Sequence, residues 1–254
     1  MKPSPAGRDE TVFVLVHGAW AGGWCYGRVA DILRERGFRA FTPTLTGLGE
    51  RSHLAGLFPI TCSTHIQDIV NVMLWEDLRR VVLCGHSYGG VVIAGVADAM
   101  RDRISALVYV DAIIPESGKT VLGMNRSNAV VAGVLDATAH AGGLLAPALP
   151  ATLLGTNTGD VEYVDRLCTP HPLAAFCEPI SLTGAWRNVP SKTYVRATGW
   201  QGYEGLGFHS YESVANDAGW MKVDVPCGHE VMLDAPEALA DILVAAARGG
   251  GSHE

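Results

Sequence analysis

One ten-residue stretch constrains the fold of this chain more than any other. Residues 81–90 read V-V-L-C-G-H-S-Y-G-G, an apolar run that ends in a serine flanked by glycines, and an apolar helix-like sequence follows. The run predicts a buried strand and the following sequence a helix, with the serine in the turn between them. Gly85 and Gly89 suit a sharp turn because they have no Cβ to crowd the backbone around the serine. The pattern therefore predicts that Ser87 stands exposed as a nucleophile at the end of a strand.

The rest of the chain alternates strand candidates with helix candidates. The strand candidates are 11–17, 40–45, 81–84, 104–110, 193–197 and 221–225, and the helix candidates are 27–36, 64–77, 88–101 and a last helix that opens at 234–237. We expect Thr64 and Gln67 to form the capping box of the second helix and Asp234 to cap the last. Strands that alternate with helices favour parallel pairing and a sheet covered on both faces.

Residues 112–190 interrupt this alternation, since they are rich in Ala, Gly, Leu and Pro and carry few strand signals. They predict a helical insertion, here called the cap segment, over one end of the sheet. The core then consists of residues 8–111 and 191–248. The sequence thus predicts an α/β fold with a mostly parallel, doubly wound sheet and a helical cap.

Composition narrows the classes of function. The net charge is −7 and basic residues form no large cluster, which argues against a nucleic-acid partner. No apolar run approaches the roughly 18 residues of a membrane span, and the first ten residues lack the apolar core of a signal peptide. The six cysteines form no CxxC pair, so we expect free thiols in a reducing cytoplasm and neither a metal nor a cofactor. Nothing in the sequence predicts the oligomeric state.

A serine hydroxyl needs a base to act as a nucleophile at neutral pH. The chain has nine histidines, of which His229 lies in V-P-C-G-H-E after the last strand candidate and before the final helix. In a doubly wound sheet this loop lies at the same edge as Ser87. His17 and His86 are expected to shape their loops. Surface polarity is the expectation for the histidines of the other loops and of the cap segment: His53, His65, His140, His171 and His209.

These pieces resemble α/β-hydrolases, in the branch of plant methyl esterases, hydroxynitrile lyases and their bacterial relatives. The matching motifs are F-V-L-V-H-G-A-W, G-H-S-Y-G-G and the C-G-H before the last helix, which span residues 13–247 in the expected order. The segment T-P-T-L-T-G-L-G-E-R-S-H at 42–53, G-G-W-C-Y and P-C-G-H are similar to bacterial carbamate esterases of the carbendazim-hydrolase type. The resemblance implies an α/β-hydrolase fold and a Ser-His-acid triad.

The resemblance also implies an oxyanion hole built from backbone N–H groups. Tyr88, directly after the nucleophile, matches one donor position, and Ala19 in H-G-A-W matches the other. The acid is less clear, because named relatives carry an aspartate after the strand that matches 193–197 and this chain has A-T-G-W-Q-G-Y-E there. Asp111, behind an apolar strand, is the preferred acid, and Glu204 is the alternative.

Hydroxynitrile lyases of this branch use a threonine in the first loop and a lysine after the catalytic histidine. Gly18 and Glu230 stand at the matching positions, so hydrolysis of small carboxylic or carbamic esters is favoured over the lyase reaction. A non-catalytic small-ligand receptor is a third alternative. Trp20, Trp24 and Trp200 are candidate stacking partners for an aromatic or heteroaromatic substrate. Cys25 and Cys227 flank the predicted catalytic loops. We expect these thiols to pack and not to take part in catalysis, and we expect their modification by thiol reagents to block the cleft.

Overall fold

The structure, a computed structural model, describes residues 11–124, 129–200 and 209–249. Two groups of strands are present. The strands are β1 (Val12–Val16), β2 (Arg39–Phe41), β3 (Val81–His86), β4 (Ile104–Val110), β5 (Leu145–Ala146), β6 (His171–Pro172), β7 (Ser191–Ala197) and β8 (Met221–Val225). Six of them form one sheet in the order β2-β1-β3-β4-β7-β8, and β5 pairs with β6 in a small separate sheet. Every pairing within the six-stranded sheet is parallel, which confirms the predicted architecture.

Helices connect the strands and cover both faces of this sheet. The α-helices are α1 (Gly27–Glu35), α2 (Cys62–Trp75), α3 (Gly89–Met100), α4 (Val121–Met124), α5 (Ala129–His140), α6 (Val161–Leu167), α7 (Leu173–Cys177), α8 (His209–Ala215), α9 (Val231–Asp234) and α10 (Pro236–Ala247). Shorter 3-10 turns lie at Gly23–Tyr26, Gly49–Leu54, Arg101–Arg103, Ala151–Leu154 and Ala185–Asn188. No helix in the described part of the chain combines the length and the apolarity that a membrane span requires.

The side chains of each central strand alternate between two apolar clusters. In β1, Val14 packs with α2 and α3 on one face, while Phe13 and Leu15 pack with α1 and α10 on the other. Because both faces are covered, the central strands read as continuous apolar runs instead of an alternating pattern. The sheet is therefore the middle layer of three, and its core holds the strand ends in fixed positions.

The strand order places a crevice where the chain changes direction. The chain passes from β1 to β2 on one side and then returns past β1 to β3 on the other, so β1 and β3 are neighbours at the switch point. Ligands of open α/β sheets bind outside the carboxyl ends of the strands at such a point. Gly18 and Ser87 each follow one of these two strands.

The cap segment contains more than helices. Its described residues form α4 to α7, 3-10 turns and the antiparallel pair β5 and β6. Its last part returns to the sheet. Trp186 is buried there, with its ring tilted against Tyr109 of β4 and edge-on to Trp220. The division into a core and a cap domain stays a prediction.

Three local predictions need correction. The capping box of α2 is formed by Thr61 and Thr64, one turn earlier than expected, and Gln67 bonds Asn71 instead. Asp234 ends the short helix α9 and accepts the backbone N–H of Gly228, so it does not cap α10. The second strand ends at Phe41, whereas the sequence predicted a strand that reaches position 45.

Candidate active site

Ser87 stands on a strained turn between β3 and α3. Its φ angle is +51°, a left-handed conformation that non-glycine residues rarely adopt. A Cβ at Gly85 would lie 2.5 Å from the carbonyl oxygen of Gly89, and a Cβ at Gly89 would lie 2.6 Å from that of Val16. Neither contact is tolerable, so the turn requires both glycines. Backbone bonds hold the strained residue in place: its N–H donates to Val110 and its carbonyl accepts from Ile113.

The loop after β1 lies directly against this turn. A Cβ at Gly18 would lie 2.8 Å from Nδ1 of His86 and 3.0 Å from Cβ of Ser87. His17 fixes the loop from behind, since its Nε2 accepts the N–H of Leu45 and its Nδ1 donates to the carbonyl of Gly18. Burial lowers the pKa of His17 to about 4, so it is neutral and retains this bonding pattern at pH 7.

His229 and Asp111 form a buried pair. Nδ1 of His229 lies 2.7 Å from Oδ2 of Asp111, and only 5% and 3% of the two residues are exposed. Asp111 follows β4 directly with φ +43°, and its N–H donates to Val195 at 2.7 Å. Its second oxygen, Oδ1, accepts a long bond of 3.4 Å from the N–H of Ala197. The alternative acid, Glu204, lies outside the described residues.

The pair determines the proton affinity of His229. Burial alone would lower the pKa of the imidazole, but the hydrogen bond and the charge of Asp111, with a smaller contribution from Glu230, hold it above its ordinary value. The carboxylate accepts Nδ1–H, which leaves Nε2 as the nitrogen with a lone pair in the neutral ring. This arrangement gives a base whose orientation is fixed.

His86, beside the serine, supports the same loop from a third direction. Its Nε2 donates to the backbone carbonyl of His229 at 3.0 Å, and the two rings lie with centroids 4.4 Å apart. Burial lowers the pKa of His86 well below its usual range, and the proximity of His229 adds to this effect. His86 is therefore neutral and supports the loop of His229 by a hydrogen bond, as its place in the motif indicated.

Two backbone N–H groups belong to residues that line the same cavity as Ser87. Among the described residues, the backbone hydrogen bonds leave the N–H groups of Ala19 and Tyr88 without an acceptor. Both loops are anchored next to these donors. The Tyr88 hydroxyl donates to Nδ1 of His65, whose Nε2–H donates to the carbonyl of Thr46, and the N–H of Trp20 donates to Nδ1 of His171 at 3.3 Å.

The anchoring histidines correct a sequence prediction. His65 and His171 were expected to provide surface polarity, but both are fully buried, and His171 stacks on Phe176 with centroids 4.2 Å apart. Burial lowers the pKa of each ring. For His65, its place on the apolar face of α2, next to Ile66 and Ile69, was a usable signal. For His171, in a short strand of the cap segment, the sequence held none.

Two cavities meet at Ser87. The main cavity, about 80 Å³, has apolar walls that include Val121, Leu122 and Phe176 of the cap segment. The side cavity, about 40 Å³, lies against Ser87 and His229. Ala19 and Trp20 line both. In the described part of the chain, no three His, Cys, Asp or Glu side chains are grouped to hold a metal ion.

The three tryptophans proposed as stacking partners have different surroundings. Trp20 lines both cavities, and its φ of +64° shows that the loop is strained there as well. Trp200 lies against His229 with ring centroids 4.9 Å apart. Trp24 packs edge-on against Tyr163 and is not among the residues that line the two cavities.

The cysteines near the catalytic loops are poor targets for thiol reagents. Cys25 is fully buried, and burial raises its pKa well above the usual range. Burial raises the pKa of half-buried Cys227 to about 12. A thiol reagent has no access to Cys25, so it cannot block the cleft there as the sequence suggested. Cys177 is the exposed thiol.

Comparison with known proteins identifies the family of the chain. The profile of the alpha/beta hydrolase family matches residues 13–242. A carbendazim hydrolyzing esterase of Nocardioides sp. is 41% identical over 243 residues, 92% of this chain and 98% of that protein. Methylesterase 2 of Arabidopsis thaliana is 36% identical over 107 residues, 41% of this chain and 40% of the plant protein.

The fold has a close structural counterpart. An extracellular alpha/beta-hydrolase from a Paenibacillus species superimposes with a TM-score of 0.79 at 24% identity, over 94% of this chain and 98% of the other. Both resemblances stated from the sequence motifs, to the branch with plant methyl esterases and to the carbendazim-hydrolase type, are confirmed. The chain belongs to the alpha/beta hydrolase family.

Proposed function

We propose that this chain is a serine esterase that hydrolyses small carboxylic or carbamic esters by a Ser87-His229-Asp111 mechanism. The observation that carries the proposal is the buried pair of His229 and Asp111, 2.7 Å apart, whose histidine lines the same cavity as the strained Ser87. A nucleophile, a base and a group that orients the base are the parts that acyl transfer requires.

The reaction begins with attack of Ser87 Oγ on the substrate carbonyl carbon while His229 Nε2 takes the hydroxyl proton. Asp111 keeps the imidazole in the required tautomer and stabilises the imidazolium. The N–H groups of Ala19 and Tyr88 donate to the oxygen that becomes negative. The leaving alcohol takes the proton from His229, and water then frees the acyl or carbamoyl group from the serine.

The substrate class follows from the relatives and from the main cavity. The relative with 41% identity over nearly the whole chain is named a carbendazim hydrolyzing esterase, and a second one is a methylesterase. The apolar walls of the main cavity suit an aromatic or heteroaromatic group of the substrate. Trp20 lines this cavity and Trp200 lies against His229, so both can contact that group.

The geometry at Gly18 favours hydrolysis over the lyase reaction. Lyases of this branch use a threonine at the matching position, but a Cβ there would lie 2.8 Å from His86 and 3.0 Å from Ser87. The loop therefore has no room for a threonine side chain. Glu230, a carboxyl group where the lyases have a lysine, gives no positive charge to stabilise cyanide.

The test is turnover of a panel of aryl esters and methyl carbamates by wild type, Ser87→Ala and a matched control, Ser105→Ala. Ser105 lies at the opposite end of β4, where its hydroxyl donates to the carbonyl of Val81. We expect wild type and the control to cleave part of the panel and to react covalently with a fluorophosphonate at Ser87, and Ser87→Ala to do neither.

Two outcomes would overturn the proposal. Full activity of Ser87→Ala would remove the nucleophile from the mechanism. Absence of both turnover and fluorophosphonate labelling in wild type would leave the lyase and receptor alternatives. Release of cyanide from a cyanohydrin would then indicate the lyase, and its absence the receptor.

A further inference from the structure

The side cavity differs chemically from the main cavity. Its wall includes the nucleophile Ser87, the base His229, and two further polar side chains, His86 and Glu230. The walls of the main cavity carry no charged side chain among the described residues. The two spaces share Ser87, so a group bound covalently to the serine in the main cavity has the side cavity beside it.

Glu230 is buried, and no hydrogen bond to Oε2 from a described residue explains its burial. Only 6% of the residue is exposed, and Oε2 has no hydrogen-bond partner among the described residues. Its backbone carbonyl accepts the N–H groups of Leu233 and Asp234, so the main chain begins α9 while the side chain takes no part in it. A buried carboxyl group without a partner is destabilising, and such groups concentrate at functional sites.

The side cavity also has the size of a water site. Its volume is about 40 Å³, more than the roughly 10–15 Å³ that a cavity needs to hold one water. A bound water needs two or more polar partners. Ser87, His229 and Glu230 line the cavity and can supply them. Oε2 of Glu230 has no hydrogen-bond partner among the described residues, and Leu149 and Leu154 form part of the apolar wall.

From this arrangement we infer that Glu230 binds the water that hydrolyses the acyl-enzyme. The inference rests on the proposed esterase function and adds a fourth catalytic residue to it. The carboxyl oxygen of Glu230 accepts a hydrogen bond from the water. Because Glu230 directly follows His229 in the chain, the water stays within reach of the base.

The step is a second acyl transfer. The water oxygen attacks the carbonyl carbon of the acyl-serine, and one of its protons passes to Nε2 of His229. The tetrahedral intermediate then collapses, the bond between that carbon and Ser87 Oγ breaks, and the proton returns from His229 to the serine oxygen. The free acid leaves, and Glu230 ends the cycle as it began because it neither gains nor loses a proton.

The experiment separates acylation from deacylation with p-nitrophenyl acetate in a stopped-flow instrument. Wild type is compared with Glu230→Met, which fills the same volume without an acceptor, and with Glu230→Gln, whose amide oxygen can still accept from water. Glu237→Met is the matched control, because Glu237 is exposed on α10 and pairs with Arg36. The melting temperature of each protein is measured as well.

We expect Glu230→Met to acetylate Ser87 at a rate within about twofold of wild type but to deacylate at least ~10-fold more slowly. A burst near one equivalent of p-nitrophenolate and a persistent acetyl-Ser87 in the mass spectrum are the signatures. Glu230→Gln should retain most of the deacylation rate. Glu230→Met should melt no lower than wild type, because it removes an unpartnered carboxyl group from the interior.

Three results would overturn the inference. Deacylation of Glu230→Met at the wild-type rate would show that the water is held elsewhere. Equal loss of acylation and deacylation, together with a lower melting temperature, would show that Glu230 supports the fold. Failure of wild type to acetylate Ser87 or to react with a fluorophosphonate would reject the esterase function itself, and the inference with it.

Discussion

Nδ1 of His229 and Oδ2 of Asp111 lie 2.7 Å apart although 118 positions separate the two residues in the chain. The contact exists because β4 and β8 are parallel strands of one sheet, with β7 between them, and the loops at their carboxyl ends reach the same edge. Asp111 enters its loop with φ +43°, and the N–H of Ala197 in β7 donates to its Oδ1. The contacts of Asp111 with the sheet therefore hold its carboxylate in place independently of its bond to His229.

This relationship predicts that Asp111→Asn loses nearly all turnover. An asparagine at the same place keeps the shape, but its amide group can donate to Nδ1 and favour the wrong tautomer of His229, a change that costs on the order of 10⁴-fold in kcat. The measurement is kcat for an aryl ester, with Asp224→Asn as the control because Asp224 pairs with Arg196 on the exposed part of β8. Glu204→Gln should stay active. Loss of turnover in Glu204→Gln, with Asp111→Asn active, would transfer the role of the acid to Glu204.

The same contact predicts how His229 titrates. Burial would lower its pKa, and Asp111 overrides that effect by its hydrogen bond and charge, so the pKa lies above the ordinary value. The base works as the neutral ring, so kcat/KM should fall as the pH drops through this raised pKa. In Asp111→Asn only burial and the smaller effect of Glu230 remain, so the titration should move to lower pH. NMR titration of His229 in Ser87→Ala, with and without Asp111→Asn, measures the shift, and identical titration curves would contradict the assignment.

The sequence predicted those parts of the site that depend on local structure. Ser87, Gly85 and Gly89 lie in one strand–turn–helix segment, where the crowding of the backbone can be argued from residue types alone. Asp111 could be placed because it directly follows a strand of a parallel sheet, and His229 because it lies in the loop after the last strand.

Features that depend on contacts between distant segments could not be predicted. His171 is buried because it stacks on Phe176 of the same segment and because the cap segment folds onto the loop of Trp20, and no pattern around position 171 predicts these contacts. Strand β2 is short because the chain after it turns to place Leu45 and Thr46 against the side chains of His17 and Asp68. These polar contacts compete with the sheet, whereas the sequence predicted a strand that continued to position 45.

The crowded turn at Ser87 predicts a large difference between two Gly→Ala substitutions. A Cβ at Gly85 would meet the backbone of Gly89 at 2.5 Å, whereas no atom lies within 4 Å of a Cβ at Gly133 in α5. We expect Gly85→Ala to lower the free energy of unfolding by at least about 2 kcal/mol, the scale of an overpacked core. Gly133→Ala should raise it by about 0.5–1 kcal/mol through its better helix propensity. Urea unfolding measures both, and equal stability of the two variants would contradict the requirement for glycine at 85.

His171 accepts the N–H of Trp20, the residue directly after Ala19, which we propose as an oxyanion donor. His171→Phe keeps a ring to stack on Phe176 but removes the acceptor, so the loop that carries Ala19 is held less firmly. His171→Asn retains an acceptor close to the position of Nδ1 but gives up the ring. If His171 positions the oxyanion hole, His171→Phe should lower kcat by ~10-fold or more with little change in KM, since loss of a whole donor costs about 10²–10³-fold.

Affinity for an aryl trifluoromethyl ketone, which forms an oxyanion when the serine adds to it, should fall in parallel with kcat/KM. His171→Asn should recover part of the lost kcat even though it packs less well. The reverse order, with His171→Phe active and His171→Asn inactive, would mean that the stacked ring maintains the site. Melting temperatures distinguish this effect from unfolding, because a positioning residue changes inhibitor affinity in a protein that is still fully folded at the assay temperature.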